Sequence, residues 1–341
     1  MNGSSSHVLS VAPMMDCTDR HCRFFMRLLA PQVRLYTEMI PAAALTRGDA
    51  GRLLAFDPAE HPVALQLGGA QPAELAAAAR LGAAAGYDEI NLNVGCPSDR
   101  VRSGRFGACL MAVPDRVAAC VSAMRDAVEL PVTVKCRTGI DEQDSYRFLR
   151  DFIDTVAQAG CRVFIVHARK AILNGLSPKE NREVPPLDYA RVYRLKTEFP
   201  QLTVVLNGGI TSRGEVESHL RRVDGVMLGR EAYRNPYLLC ELEATVMSGA
   251  KPPARRQVLL DLLPYAQERL AAGARLHHLV RHLLGLYAGQ PGARRWRRYL
   301  SERAQEPGAG WEVLAASLAL VEKGVRPLAR EISESAKLDG A

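Results

Sequence analysis

Eight times between Val8 and Arg230, a short β-branched run ends in polar or glycine residues and gives way to a stretch of helical period. The runs occupy residues 8–14, 33–40, 63–69, 89–97, 132–139, 163–170, 202–210 and 225–230. Between them, residues 72–85, 117–128, 146–159 and 187–199 repeat their apolar positions every three or four residues, the spacing of an amphipathic helix. Eight strand–helix units in about 240 residues match the number and size of an α/β (β/α)8 (TIM) barrel. A doubly wound sheet competes, but it has fewer strands, and its dinucleotide-binding form carries G-x-G-x-x-G after the first strand. Here the first run ends Ala12-Pro13-Met14-Met15 instead.

The pattern stops near residues 249–256, where Lys251-Pro252-Pro253 punctuates the chain and no further strand-like run follows. Helical periods take over at 257–272, 277–288, 293–305 and 311–322. The expected organisation is a catalytic barrel over residues 1–245 and a small domain of about four helices over 250–330. Residues 1–6 and 333–341 are expected to be frayed ends. A chain of 341 residues is long enough for such a division.

Composition excludes several classes. Hydrophobic residues at 48% and charged residues at 24% suit a globular protein, and no apolar run reaches the roughly 18–20 residues that span a bilayer. Residues 1–6 lack a basic stretch followed by an apolar one, so no secretory signal is expected. The eight cysteines fit neither a zinc ribbon nor a disulfide scaffold, which points to reduced thiols, a cytoplasmic protein and no metal site. The net charge of +7 is weak evidence of an anionic partner, so where the charge lies matters more.

In a (β/α)8 barrel the chemistry sits at the C-terminal ends of the strands. Those ends deliver Pro13, Met14 and Met15, then Glu38, Gln66, Asn91, Asn93 with Cys96, Lys135, His167, Asn207-Gly208-Gly209 and Gly229-Arg230. The last two groups follow strands seven and eight, where barrels bind phosphate through backbone N–H groups that glycine leaves accessible. Arg230 can add a charge-assisted contact. Lys135 lies inside a strand, and a lysine desolvated there calls for an anionic partner; the plain alternative is a lysine snorkelling at the rim. Gln66 and His167 are weak signals taken singly. Cys96 is the sharpest candidate, because it opens a loop made flexible by Gly104 and Gly107 and is steered by Pro97. Cys109 is its rival, but Ala108-Cys109-Leu110-Met111 reads as an apolar, packed run.

These residues resemble the tRNA-dihydrouridine synthases, most closely their A subfamily. The similarity runs through Ala12-Pro13-Met14, Leu35-Tyr36-Thr37-Glu38-Met39, residues 91–111, 134–140, 166–186, 206–210 and 224–237, and returns at 296–302. It implies an FMN-binding barrel with a helical tRNA-binding domain, reduced by NADPH and acting on D-loop uridines at position 20 and its neighbour 20a. FMN would be held by Pro13, Met14, Met15, Gln66, Lys135 and His167, with its phosphate on Asn207, Gly208, Gly209, Gly229 and Arg230. Hydride would add to C6 of uracil, and Cys96 would protonate C5 from the opposite face, with Asn93 at the uracil edge. An unperturbed thiol, with a pKa of about 8.5, is mostly protonated at neutral pH and suits that task.

A base reduced in a barrel mouth must leave its stack, so another surface has to bind the body of the tRNA. Between Lys251 and Arg303, eleven lysines and arginines face three acidic residues. Arg294-Arg295-Trp296-Arg297-Arg298-Tyr299 interleaves basic and aromatic groups as RNA-binding surfaces do. The resemblance adds Lys179, Arg182, Arg295 and Arg298 as tRNA contacts. A solvated basic face is the alternative. No stable protein partner is expected, and the chain is read as a monomer. Two other functions fit parts of the pattern. One is an FMN barrel acting on a free pyrimidine, which would not need the basic helices. The other is a tRNA-binding protein with a degenerate site, which would not need Cys96, Lys135 and His167.

Overall fold

The computed structural model describes residues 7–98 and 104–322. The expectations for residues 1–6, for the middle of the loop after Cys96 and for the tail lie outside the described residues. Eight parallel strands alternate with helices: β1 (Leu9–Val11), β2 (Leu35–Tyr36), β3 (Val63–Gly68), β4 (Glu89–Val94), β5 (Val132–Arg137), β6 (Val163–His167), β7 (Thr203–Asn207) and β8 (Gly225–Leu228). Each lies inside one of the eight runs read from the sequence. The hydrogen-bonded order is β1-β8-β7-β6-β5-β4-β3-β2. A parallel bridge between Ser10 and Arg34 closes the ring, with Arg34 N donating to Leu9 O at 3.1 Å and Val11 N to Arg34 O at 2.9 Å. The fold is the expected (β/α)8 barrel. A two-residue strand, Ile40–Pro41, pairs with the end of β3.

Side chains alternate across each strand, which sorts the sequence into an outer apolar face and an inner one. On β4, Ile90, Leu92 and Val94 face out, while Glu89, Asn91 and Asn93 share the other face. The helix Pro72–Ala84 packs so closely outside that a Cβ on Gly82 would lie 2.5 Å from Leu65 and 2.9 Å from Ile90. Pro72 opens this helix where an N–H would be unpaired anyway, and Gly86, at φ +95°, ends it. The interior is apolar on one side, where Ala12, Tyr36, Ala64, Ile165, Val205 and Met227 form a cluster. Burial of each larger side chain contributes about 1.5–3 kcal/mol. On the side of β3, β4 and β5 the interior is polar: Gln66, Glu89, Asn91, Asn93 and Thr133 are all buried.

Contacts divide the chain into two compact units. One takes in the residues up to Arg20 and Gln32–Gly229; the other takes in His21–Pro31 and the residues from Arg230 onward. The change of composition near 245–250 therefore lies inside the second unit, after the helix Tyr237–Val246. The early helix Arg20–Leu29 supplies that unit with Phe24, stacked 3.8 Å from the Tyr265 ring, and with His21, whose Nδ1 lies 2.7 Å from the Tyr265 hydroxyl.

The second unit contains the expected helices Arg255–Ala271 and Ala293–Arg303, and Glu312–Ser317 with a 3-10 turn at Leu318–Leu320. The helix expected over residues 277–288 is shorter, Leu276–Val280. Beyond it the bonds run to the third residue back, as from Leu286 N to Leu283 O (2.8 Å) and from Ala288 N to Gly285 O (2.9 Å). Within this stretch Gly285 lies so close to its surroundings that a Cβ there would be 2.4 Å from the Arg234 carbonyl oxygen. Among the described residues, no helix is long and apolar enough to cross a membrane.

Candidate active site

Cys96 is held by its backbone. Asn93 Oδ1 accepts from the N–H groups of Gly95 (3.1 Å) and Cys96 (2.9 Å), and the Cys96 carbonyl accepts from Ala108 N at 2.9 Å. Arg137 Nε donates to the Gly95 carbonyl at 3.1 Å, so both polar groups of Gly95 are engaged. The half-buried thiol lies 3.5 Å from the Ser98 hydroxyl. Cys109 differs: its thiol donates to the Phe106 carbonyl at 3.2 Å, and burial pushes its pKa up. That fits the packed run read from the sequence.

Register brings the neighbouring strand ends together. Asn93 pairs with Lys135, Arg137 with His167, and His167 with Asn207. Lys135 Nζ donates to Asn207 Oδ1 at 3.0 Å, while Asn207 Nδ2 donates to the Met227 carbonyl at 2.8 Å. Burial, and then the nearby Arg137 charge, brings the Lys135 ammonium down to about 8. It makes no ion pair among the described residues. Burial also holds His167 well below its ordinary pKa, helped by Arg137, Lys135, Arg169 and Arg182, so the ring is neutral at pH 7. The charges that act most on that ring are cationic. A mouth with this donor set fits an anionic, phosphate-bearing ligand.

The glycine loops differ in what they require. Gly208 (φ +116°) and Gly209 (φ +72°) adopt left-handed backbone. A Cβ on Gly208 would sit 2.6 Å from the His167 ring, and one on Gly209 2.5 Å from Leu187 Cδ1. Tyr189 fastens the turn by donating to the Gly208 carbonyl at 2.8 Å. A Cβ on Gly229 would meet nothing within 4 Å, so no contact within the chain demands glycine there. Arg230 follows as the first residue of the helix Arg230–Arg234 and opens the second unit.

Pro13 and Met14 are partly buried beyond β1, and Met14 packs against the interior cluster. Thr18 caps this turn, receiving the Met14 N–H at 3.0 Å, and leaves Met15 55% exposed, unusual for a large apolar side chain. Gln66 is deeper than a ligand-facing residue need be: it is 1% exposed, donates to Asn91 Oδ1 and accepts from Asn93 Nδ2, both at 2.8 Å.

Lys179 and Arg182 lie exposed on the loop after β6, around a short 3-10 turn, Glu180–Arg182. Asn181, fully buried, pins that loop through Ile172 and Leu176. Arg295 and Arg298 are exposed on the helix Ala293–Arg303, in the other unit. Trp296 of the same helix is 0% exposed, its ring 4.9 Å from that of Tyr287. It is a core anchor, so of the two aromatic residues in the basic run, Trp296 lies beneath the arginines and the half-buried Tyr299 remains beside them.

Residues that sequence reading passed over are Arg137, Asn181, Glu89 and Thr133. Arg137, 3% exposed, donates to the carbonyls of Gly95, Lys170 (3.2 Å) and Asn181 (2.8 Å), tying the Cys96 loop to the loop that bears Lys179 and Arg182. Burial brings its guanidinium down to about 10. A signal was present: in β5, Thr133, Lys135 and Arg137 alternate with apolar residues, so three polar side chains share one face.

Known proteins resemble this chain along most of its length. The pattern of the dihydrouridine synthase (Dus) family matches residues 10–321. A tRNA-dihydrouridine(20/20a) synthase of Vibrio cholerae is 58% identical over 315 residues, covering 92% of this chain and 96% of the relative. The proteins of the same name from Salmonella typhimurium and Shewanella oneidensis are 59% and 57% identical, covering 92% and 89% of this chain and 94% and 91% of their own lengths. With its barrel, its loop cysteine and a match along nearly its whole length, the chain belongs to the dihydrouridine synthase family of oxidoreductases.

Proposed function

We propose that this protein reduces the C5=C6 bond of uridine in the D-loop of tRNA, at position 20 and its neighbour 20a, with FMN as its bound cofactor and NADPH as reductant. The observation that carries the reading is the pairing of a backbone-clamped cysteine, Cys96, with the cations gathered at the ends of the neighbouring strands. The shared name of relatives at 57–59% identity supports the substrate and its positions. The cations and the glycine loops fit FMN: Lys135 and His167 would face the flavin, Pro13, Met14 and Met15 would border it, and Asn207, Gly208, Gly209, Gly229 and Arg230 would take the phosphate. Gln66 would act from beneath, through Asn93. Held by these residues and reduced, FMN would supply a hydride to C6 of the uracil ring.

The chain's own residues supply the rest. As negative charge builds on C5 and the C4 oxygen, Cys96 Sγ gives its proton to C5, and the thiolate is reprotonated from solvent. A held backbone keeps that sulfur at one height above the ring, and orientation of this kind governs the rate of a proton transfer. Neutral His167 can donate one hydrogen bond without placing a second full charge beside Lys135. Asn93 fixes the Cys96 loop and borders the uracil. Lys179 and Arg182 on the barrel loop, and Arg295 and Arg298 in the helical unit, would contact tRNA phosphates. The protein is read as a cytoplasmic monomer.

The test is site-mapped mass spectrometry of unmodified tRNA incubated with the protein, FMN and NADPH. Dihydrouridine at positions 20 and 20a is expected. A folded, flavin-loaded protein that leaves the tRNA unchanged would overturn the substrate assignment, and free pyrimidines would then be assayed.

A further inference from the structure

The polar side of the barrel interior forms one continuous chain of hydrogen bonds. At its floor Glu89, fully buried at the start of β4, accepts from Thr133 Oγ1 at 2.6 Å and from the Tyr36 hydroxyl at 2.9 Å, and its other oxygen lies 2.8 Å from His7 Nε2. Thr133 accepts from Asn91 Nδ2 at 2.8 Å, Asn91 Oδ1 accepts from Gln66 Nε2 at 2.8 Å, and Gln66 Oε1 accepts from Asn93 Nδ2 at 2.8 Å. The chain ends where Asn93 Oδ1 receives the N–H groups of Gly95 and Cys96. Gln66, Asn91 and Thr133 stand at one level on three adjacent strands, set by register.

The direction of every bond follows from the ends. Burial alone would raise the Glu89 carboxyl, but His7, Arg34 and Thr133 outweigh it and hold its pKa below the ordinary value, so Glu89 is a carboxylate. A carboxylate only accepts, so the Thr133 hydroxyl must donate downward and offers only its lone pairs to Asn91. Asn91 then turns its amide nitrogen down and its oxygen up, and Gln66 and Asn93 repeat the choice. At the top, a backbone N–H only donates, so Asn93 must present oxygen. The two ends agree, and each amide has one orientation that satisfies both its neighbours.

We propose that Glu89 and Thr133 are positioning residues for Cys96: through this directional chain, the barrel floor fixes the Asn93 amide that holds the Cys96 backbone. The proposal rests on the reading of Cys96 as the proton donor. It predicts that cutting the chain far from the mouth loosens the Cys96 loop. Thr133→Val keeps the shape of the side chain but removes the oxygen to which Asn91 Nδ2 donates, so Asn91, Gln66 and Asn93 lose their tie to the floor and are held from the mouth alone. An Asn93 no longer braced from below can swing with the loop, which weakens the bonds it accepts from Gly95 and Cys96.

The experiment uses the full chain with FMN bound and compares wild type, Thr133→Val and Thr133→Ser. Amide hydrogen exchange at Gly95–Cys96 is measured beside dihydrouridine formation at saturating and limiting tRNA. Thr133→Val should exchange faster there. Its kcat should fall by about ten-fold or more at little-changed KM, since misplacement by ~1 Å can cost roughly 100-fold. Thr133→Ser, which restores the hydroxyl, should restore both. Unchanged exchange at Gly95–Cys96 in Thr133→Val, or a serine variant no better than the valine one, would overturn the proposal. Thr133→Ala, read the same way, serves if the valine variant does not fold. Cys96→Ala separates the two readings: if it keeps full turnover, the acid role of Cys96 fails, and the chain from Glu89 is then judged on exchange alone.

Discussion

Lys135 reaches from β5 to β7, where its ammonium donates to the side-chain oxygen of Asn207. A neutral amide is its partner in a place where burial opposes charge. The pair is therefore poised for an anion, which would favour the charged lysine. The consequence has a definite sign. With the unliganded lysine near 8, FMN binding above that pH must take up a proton, so affinity should be nearly flat from pH about 6 to 7.5 and fall as pH rises through 8. Quenching of flavin fluorescence on titration checks this. Lys135→Met should weaken binding by roughly 10–100-fold, the loss of a charge-assisted bond, and flatten the curve. A wild-type affinity constant up to pH 9 would separate Lys135 from the flavin.

Cys96→Ala should retain bound flavin and tRNA affinity while losing turnover by about 100- to 10,000-fold, the usual contribution of a positioned proton donor. The measurement is oxidation of the reduced flavoprotein by tRNA in a single turnover. Full activity would remove Cys96 from the reaction. Cys109→Ala should leave the rate unchanged, because that thiol is spent on the Phe106 carbonyl.

The two glycine loops predict opposite phenotypes. Gly209→Ala forces a Cβ onto left-handed backbone and against Leu187, which should cost about 1–2 kcal/mol for the backbone and lower Tm by several degrees. Gly229→Ala meets open space, so Tm should hold while FMN affinity falls, because the new methyl group stands where a phosphate would approach. Thermal melts with and without FMN distinguish the two. Unaltered FMN affinity in Gly229→Ala would move the phosphate elsewhere.

The strands were legible because β-branched runs with turn residues at their ends leave a local signature, and a parallel barrel repeats it eight times. The strand-end residues followed from the fold, since register pairs Asn93 with Lys135, Arg137 with His167 and His167 with Asn207. What lay beneath the site was harder to read. Glu89 and Thr133 act through partners 44 residues apart in sequence, a pairing fixed only when β4 and β5 align. Arg137 was hidden because an arginine on a strand reads as a rim charge until three carbonyls are found around it. Residues 277–288 failed as one helix because an apolar period of three to four suits the i−3 bonds found beyond Val280 as well as an α-helix.

Arg295 and Arg298 lie exposed on one helix, and Arg298 lies 3.6 Å from the Glu302 carboxylate. An exposed pair at this spacing contributes about 0.3–0.5 kcal/mol, so removing Arg298 should hardly affect the fold. Double substitution to alanine should weaken tRNA binding and reduce the slope of log affinity against log salt by about 1.4–1.8, at roughly 0.7–0.9 per phosphate contact. Filter binding at four salt concentrations would show it. An unchanged slope would place the phosphate contacts on other basic residues.

Between these arginines, Trp296 should behave in the opposite way. Its indole is wholly buried against Tyr287, on the face that also carries Ala293 and Leu300, so its energy goes into the helical unit. Trp296→Ala should destabilise that unit by about 3–5 kcal/mol, the usual cost of emptying a large aromatic site. Trp296→Phe should cost less, since it keeps most of the packing and the indole N–H has no partner among the described residues. Denaturant unfolding and tRNA binding, measured on the same samples, separate packing from recognition. A stable Trp296→Ala protein that had lost only tRNA affinity would mean that the ring stacks on RNA. A destabilised protein whose folded fraction still binds tRNA would confirm that the arginines, held in place by the tryptophan, make the surface.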